Sequence, residues 1–505
     1  MGNLLFGLNT ALKGMTAQQA SLNVLSHNIA NANTPGYTRQ RAILETSYPI
    51  SGLCTAGQMG TGVEVGQIQR IREQFIDYQL RKEYCIEEKW ESITNILEQV
   101  EMIFMEPTES GFNEMMNTFW NDWLELSDYA ELSPIRTNLK ESAGYMADAF
   151  RQMSSHLKVI KDDIVQQHKM TLAEVNLITK QVADLNQQIF VITATGDSPN
   201  DLIDRRDLLL DELGKLAPIA VTPVVNPDGD PTGSIDVTIN GAKIVDDRVA
   251  RLISLDDSSI DTGIIIEGEM DPVMVEQGKI GGLRKTAGLP DLDTYSIDHY
   301  LQKLDSLAVS LAKAVNDIHK QGIDLNGEQG ENFFVFLDID GNEIDLDSID
   351  WNDPLEAGLG AGNIHVNPLI MEDVSKIAAG QKQGDLFLPG NGNIALKISQ
   401  LKDARLKYDP AKKVAAVDPD GTTTFGGFYA DSISELGSAS RAAIRNLSNQ
   451  QALVTQMENR RESVSGVSLD EEMAHMLQYQ HAYAANAKVI QTIDELLVTL
   501  INLVR

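Results

Sequence analysis

Cysteine is nearly missing: Cys54 and Cys85 are the two in 505 residues, so disulfides do not staple this fold. Cys85 falls inside a helical pattern and reads as a small buried apolar residue rather than a redox group. No apolar run approaches the roughly 18 residues of a membrane-spanning helix, so no membrane span is expected. Positive charge is also scarce. Lys and Arg number 41 against 73 Asp and Glu, a net charge of −32 that repels phosphate backbones, and no local basic patch offsets it. Nucleic acid is therefore not an expected partner. The first forty residues hold two charges, Lys13 and Arg39, yet Asn3, Asn9, Gln18, Gln19 and Asn23 interrupt every apolar run, so a cleavable secretory signal is not expected either.

Assembled catalytic motifs are missing too. No nucleophile elbow, His-Glu-x-x-His, phosphate-binding glycine loop or Cys-x-x-Cys is present, so no catalytic residue and no cofactor are assigned. Glu472-Met473-Ala474-His475 has the Glu-x-x-His spacing of a di-iron bundle, but no second copy exists among the other histidines. Glu471 and Glu472 are better read as acids at a helix start. Asp338, Asp340 and Asn342 match the first ligands of a calcium loop, but Glu343 stands where glycine is required and Ile349 where glutamate is, so no metal site is expected.

What the chain has in abundance is helical periodicity. Leu4, Leu8, Ala11, Met15, Gln18, Leu22, Leu25 and Ile29 alternate by four and three residues, the seam of a helix that packs along its length. Leu469, Met473, Met476, Gln480, Tyr483, Ala487, Ile490, Asp494, Leu497, Ile501 and Val504 repeat that alternation at the other end. Gly7 and Gly14 weaken the first seam by about 1 kcal/mol each relative to alanine. Two readings are equally open: helices completed by a partner surface, or a hairpin of the two ends within one chain.

Between the ends, Ile86, Trp90, Ile93, Leu97, Val100 and Phe104 mark one long helix. A second starts at Ser133 and Pro134 as N-cap and first residue, runs through Met146 to Ile164, and resumes after a phase shift from Leu172 to Ile189. Further helix signals cover residues 202–216, 297–319 and 433–457. Two stretches break the pattern. Val221 to Lys279 carries alternating Ile235 to Ile239, the turn Asn226 to Asp230, and Asn240-Gly241, a hairpin-turn pair. Leu325 to Tyr429 is rich in Gly and Asp, with a further turn at Asp418-Pro419-Asp420-Gly421. The fold class is mainly α with β inserts, multidomain, with a rod-like helical stem and two acidic insert domains.

The segment from Ser26 through Asn31, Thr34, Pro35, Gly36, Tyr37 and Arg39 to Gln40, following the first heptad, resembles the N-terminal signature of bacterial flagellar axial proteins. Its Thr-Pro-Gly-Tyr-Thr-Arg-Gln ending is similar to that of the family member that joins hook to filament. Asp201 to Asp207, Val315 to His319 leading to Phe333-Phe334, and the C-terminal run from Gly466 through Tyr479 to Ile490 resemble the same family. Pro35 is expected to stop the first helix near Asn33, with Gly36 turning the chain into an extended connector.

The resemblance implies a structural flagellar subunit and no enzyme. Residues 1–40 would be an axial helix pairing with 468–505, and 41–220 a stem completed by 280–324 and 430–467. Residues 221–279 and 325–429 would be the outward inserts. The assembly seam would use Leu4, Leu8, Met15, Leu22, Leu25 and Ile29 with Leu469, Met473, Met476, Tyr483, Ala487, Ile490, Leu497, Ile501 and Val504. Implied partners are further copies in a helical array, the hook protein, the second hook-filament junction protein, a chaperone on the C-terminal helix, and the flagellar type III export apparatus. The implied location is extracellular, at the hook-filament junction, after transit through the cytoplasm. The alternatives are another axial protein, or an adhesin or enzyme carried on an insert.

Overall fold

The structure is a computed structural model, and it describes residues 2–50, 58–104, 111–255, 263–288, 293–349, 351, 354–355, 357–381, 388–409 and 414–504. In chain order the first elements are α1 (Gly2–Ala30), the hairpin β1 (Gln40–Thr46) and β2 (Val63–Arg70), α2 (Gln74–Phe104), α3 (Phe112–Asp128), α4 (Ser133–Ala194) and α5 (Asn200–Leu216). Strands β3 (Ile219–Val225), β4 (Pro231–Ile239), β5 (Ala242–Asp246), β6 (Val249–Ala250), β7 (Ile253–Leu255) and β8 (Ile264–Ile266) come next, then α6 (Gly278–Ala287) and α7 (Ile297–His319). The remainder is β9 (Phe334–Phe336), β10 (Ile364–Val366), the short α8 (Pro368–Glu372) and α9 (Asn393–Ser399), β11 (Leu406–Asp409), β12 (Val414–Val417), α10 (Phe425–Ser465) and α11 (Leu469–Val504).

The 62-residue α4 is the spine. Unbroken, it reaches about 90 Å at ~1.5 Å per residue. Its cap falls one residue earlier than the sequence suggests. Leu132 is the extended capping residue, without a side-chain bond, and Ser133 is already helical. The phase shift along α4 marks a change of core. Up to Ile164 its apolar face joins a large cluster with α2, α3, α7 and α10, in which Phe119, Trp123, Phe150, Phe333, Phe334 and Phe336 are fully buried. From Leu172 it packs instead against α5, α6 and the strands β4, β5, β7 and β8. His168 lies between the two, fully buried, with burial and the charge of Arg284 pushing its pKa down to about 4.

Strands β3 to β6 form one antiparallel sheet in sequence order. Asn240 and Gly241 both take positive φ, 47° and 91°, which is the type I′ geometry that two-residue hairpins favour. The Asn226 side chain accepts from the amides of Asp228 and Asp230, closing the β3–β4 turn. The second insert is built into the first core: Phe334, Phe336, Ile364, Leu406 and Ala415 belong to the same cluster as α3, α4 and α7. Its entry is fixed by two buried polar side chains at the end of α7. Asn316 donates to the Phe334 carbonyl at 2.7 Å and accepts from the Phe333 and Phe334 amides. The His319 Nε2 accepts from the Ala378 amide at 2.8 Å, and Nδ1 lies 2.6 Å from the Glu331 carbonyl. Helix α10 starts at Phe425, well before Ile433, because Thr424 caps it by accepting from the Gly427 amide. Gly426 and Gly427 hide that first turn from a periodicity search. Cys85 is buried and unpaired, and Cys54 lies outside the described residues.

Candidate assembly interface

Helix α1 ends at Ala30, three residues before the point set by Pro35, and hydrogen-bonded turns continue from it. Thr34 Oγ1 donates to Asn31 Oδ1 at 3.2 Å, and the Tyr37 amide to the Thr34 carbonyl. Gly36 takes φ +77°, and a Cβ there would stand 3.2 Å from Leu208 Cβ, so the residue both turns the chain and lets it lie on α5.

Asn28, fully buried, is the hub of the interface. Its Nδ2 donates to the Gln40 carbonyl and to Glu472 Oε2, each at 2.9 Å. Its Oδ1 accepts from the Gln40 amide at 3.0 Å and from the Tyr37 hydroxyl at 2.8 Å. One side chain thus ties α1, β1 and α11 together with every polar atom satisfied. Glu472, also fully buried, has Arg39 Nε at 2.7 Å from Oε1, while Arg39 Nη1 donates to Glu471 at 2.9 Å. Burial, with the charges of Asp201, Asp204 and Glu472, raises the Tyr37 pKa well above its usual value, so its hydroxyl remains a donor.

The connector is clamped to α5 by carboxylates spaced along one helix face. Asp201 Oδ1 accepts from Gln40 Nε2 at 2.9 Å, and Asp204 accepts from the Thr38 amide at 3.0 Å and from Arg70 at 2.7 Å. Asp207 also accepts from Arg70 at 2.9 Å, and Asp211 accepts from Arg81 and Arg461, each at 2.7 Å. Arg72 pairs with Asp77 at 2.6 Å and reaches Thr38 Oγ1. Burial alone would raise the Asp207 pKa, but Arg72, Arg70 and Arg81 hold it below the usual carboxylate range. Partly buried pairs of this kind fix geometry more than they add stability.

Beyond the hub, α1 and α11 run antiparallel in close contact. The residues at the contact recur every seven: a Cβ on Gly7 would meet Ile493 at 3.3 Å, one on Gly14 would meet Asn486 at 2.9 Å, and Asn28 bonds Glu472. Ser21 and Tyr479 line one cleft between them. The observed seam is therefore turned by one residue, about 100° of helix, from half of the expected positions. Leu25, Met476, Tyr483, Ile490 and Leu497 lie on it, buried or half-buried. Leu8, Met15, Leu22, Ile29 and Ala487 flank it, half-buried, whereas Leu469, Met473 and Ile501 are exposed. The side chains of Leu4 and Val504 lie outside the described residues. Leu5, Leu12, Leu477, Val489, Leu496 and Val498 are exposed as well, so the pair leaves apolar side chains uncovered outside a seam in which Gly14, Ser21 and Asn28 sit beside the buried Val24, Leu25 and Ile493.

Of the motif residues, Tyr37 and Arg39 join the hub and Asn31, Thr34, Pro35 and Gly36 shape its turn. The role of Glu472 as a buried ion-pair partner, rather than a first-turn acid, is not legible from spacing. The 201, 204, 207, 211 carboxylate row is, since it repeats at helical intervals within a predicted helix. Among the described residues no group of three or more His, Cys, Asp or Glu is placed to hold a metal ion, and no helix is long and apolar enough to cross a membrane.

Three family descriptions match the chain: flagella basal body rod protein over residues 8–38, flagellar hook-associated protein FlgK helical domain over 97–334, and flagellar basal body rod FlgEFG protein C-terminal over 460–503. The flagellar hook-associated protein 1 of Bacillus subtilis (strain 168) is 31% identical, with 99% of each chain covered. The chain belongs to the flagellar hook-associated protein 1 family. The relative of the same name in Salmonella typhimurium is 27% identical over 98% of this chain and 99% of its own. The solved flagellar hook junction protein FlgK from Burkholderia pseudomallei shares the fold, with a TM-score of 0.59 at 16% identity, covering 77% of this chain and all of that one. This hook-associated protein 1 family member is a structural component of the bacterial flagellum. The rod-protein matches fall on α1 with its connector and on α11, the two elements that the Asn28 hub joins.

Proposed function

We propose that this subunit forms the junction between hook and filament, stacking helically through its paired terminal helices. The observation that carries this reading is the apolar surface that the α1/α11 pair leaves uncovered. Gly14 meets Asn486 inside, while Leu12, Met473, Leu477 and Ile501 face out. Each such side chain is about half exposed, so covering the rest gains roughly 1 kcal/mol, and in a tube the neighbouring copies cover it. A contact that repeats head to tail continues unless other subunits cap it, and in this reading the hook protein caps one side and the second junction protein, then filament, the other.

The same exposed stripe on α11 calls for a chaperone before assembly, because a contiguous apolar surface aggregates in the cytoplasm. Export through the flagellar type III apparatus then delivers the chain outside the cell. The role is structural, without catalysis. Deleting the gene in the source bacterium is expected to leave bare hooks, with filament subunits lost to the medium. Filaments of normal length on the deletion strain would overturn the reading.

A further inference from the structure

A cleft of about 470 Å³ opens between the outer edges of β2 and β3, walled by Ile68, Tyr78, Ile219 and Val221. Four arginines and two aspartates line it in a chain whose net charge is −32. Arg70, Arg72 and Arg81 are committed to the α5 carboxylates and Asp77. Arg206 differs. It is only 6% exposed, its Nη1 donates to neutral acceptors, the Asn186 side chain and the Gly233 carbonyl, and its Nε has no hydrogen-bond partner. No ion pair joins it to a carboxylate among the described residues. The cleft therefore combines apolar walls with a guanidinium that feels the charge of Asp207 but pairs directly with none of the described carboxylates, and it suits an apolar side chain that brings a carboxylate with it.

The chain itself offers that shape. Among the described large apolar residues, Ile339 and Met270 are the two that are fully exposed, and each sits in a turn between two acids. Glu269, beside Met270, is already paired with Arg251, and that turn belongs to the same half of the rod as the cleft. Ile339 stands between Asp338, whose carboxylate closes its own turn, and Asp340, whose carboxylate makes no ion pair among the described residues. Its hairpin is anchored to α4 near Arg151, which donates to the Ile364 carbonyl, whereas Arg206 meets α4 at Asn186. Those two points are about 50 Å apart along one helix, so the tip cannot reach the cleft of its own chain.

We infer that the Asp338-Ile339-Asp340 tip of one copy docks in the Arg206 cleft of the next, Ile339 against the apolar walls and Asp340 toward the guanidinium. The contact is heterologous, joining opposite halves of successive rods, as a stacked array needs. It deepens the junction reading and rests on it.

The test uses flagella isolated from bacteria that carry Ile339→Cys and Ile68→Cys together in a Cys54→Ser background; Cys85 is buried, its thiol pKa pushed up to about 12, and stays silent. Mild oxidation is expected to give disulfide-linked multimers of this chain on a non-reducing gel, with monomer alone from either single variant. Adding Asp340→Asn is expected to lower the linked fraction several-fold. Monomer alone from the double variant, in flagella that keep normal filaments and the normal amount of this chain, would overturn the contact while the junction reading stands. Wild-type flagella that lack the chain altogether would remove the junction reading, and this contact with it.

Discussion

In the stem, Phe119, Trp123, Phe333 and Phe334 bury their rings against one another, whereas α1 meets α11 most closely through Gly7, Gly14, Ser21 and Asn28, beside Val24 and Leu25. The first kind of contact removes much apolar surface from water and can hold a monomer together alone. The second removes little. It permits close approach and specifies register through one buried polar hub, while leucine-bearing and methionine-bearing faces remain outside. One chain thus carries a densely packed rod and a pair of ends that leave apolar surface uncovered.

The largest test of that contrast is Leu497→Asp, on the α11 seam. It is expected to abolish filaments while the stem's melting transition stays within a degree or so of wild type; normal filaments would break the contrast. Trp123→Ala, in the aromatic core, should do the reverse and cost about 3–5 kcal/mol in urea unfolding. If that loss fell below about 1 kcal/mol, the stem would not be the rigid partner described.

Acid separates the regions a third way. Burial pushes the pKa of His319 down to about 4, and burial with Arg284 does the same to His168. Below about pH 6.5 the unfolded chain binds protons that the folded stem refuses, so each histidine removes up to about 1.4 kcal/mol per pH unit until about pH 4. Asp305 works oppositely: burial raises its pKa to about 6 despite the Ala361 amide and Lys158, so the folded state holds a proton there and gains stability as pH falls from about 6. Against the wild-type slope between about pH 6 and 4.5, Asp305→Asn is expected to steepen the loss of stability as pH falls and His319→Gln to flatten it. Equal slopes for His319→Gln and wild type in urea titrations would refute the assignment.

Much of this architecture is readable in the residue order. Period 3.5 locates α1, α2, α4, α7 and α11, and Asn240-Gly241 marks its hairpin, because helix burial and type I′ turns leave direct traces in sequence. The seam register departs from that reading by one residue for a physical reason. A hydrophobicity pattern assigns the apolar stripe to the contact, and here glycine, serine and asparagine hold its closest points while part of the apolar stripe faces out. Glu472 is hidden likewise: only the fold reveals that Arg39 and Asn28, more than 430 residues away in sequence, surround it.

Gly14 offers the finest test, since two effects oppose there. Alanine favours an isolated α1 helix by about 1 kcal/mol over glycine. In the pair its Cβ would stand 2.9 Å from Asn486 Nδ2, too close without a shift of that side chain. Gly14→Ala is therefore expected to raise the helicity of an α1 peptide yet lower hydrogen-exchange protection of α11 in the full chain, by about 1 kcal/mol. Asn486→Ala in the same chain removes the obstacle, so the double variant should exceed wild type in protection, with a coupling of at least about 0.5 kcal/mol. Additive effects would mean that the helices do not approach through Gly14, and the small-residue seam would lose its closest contact.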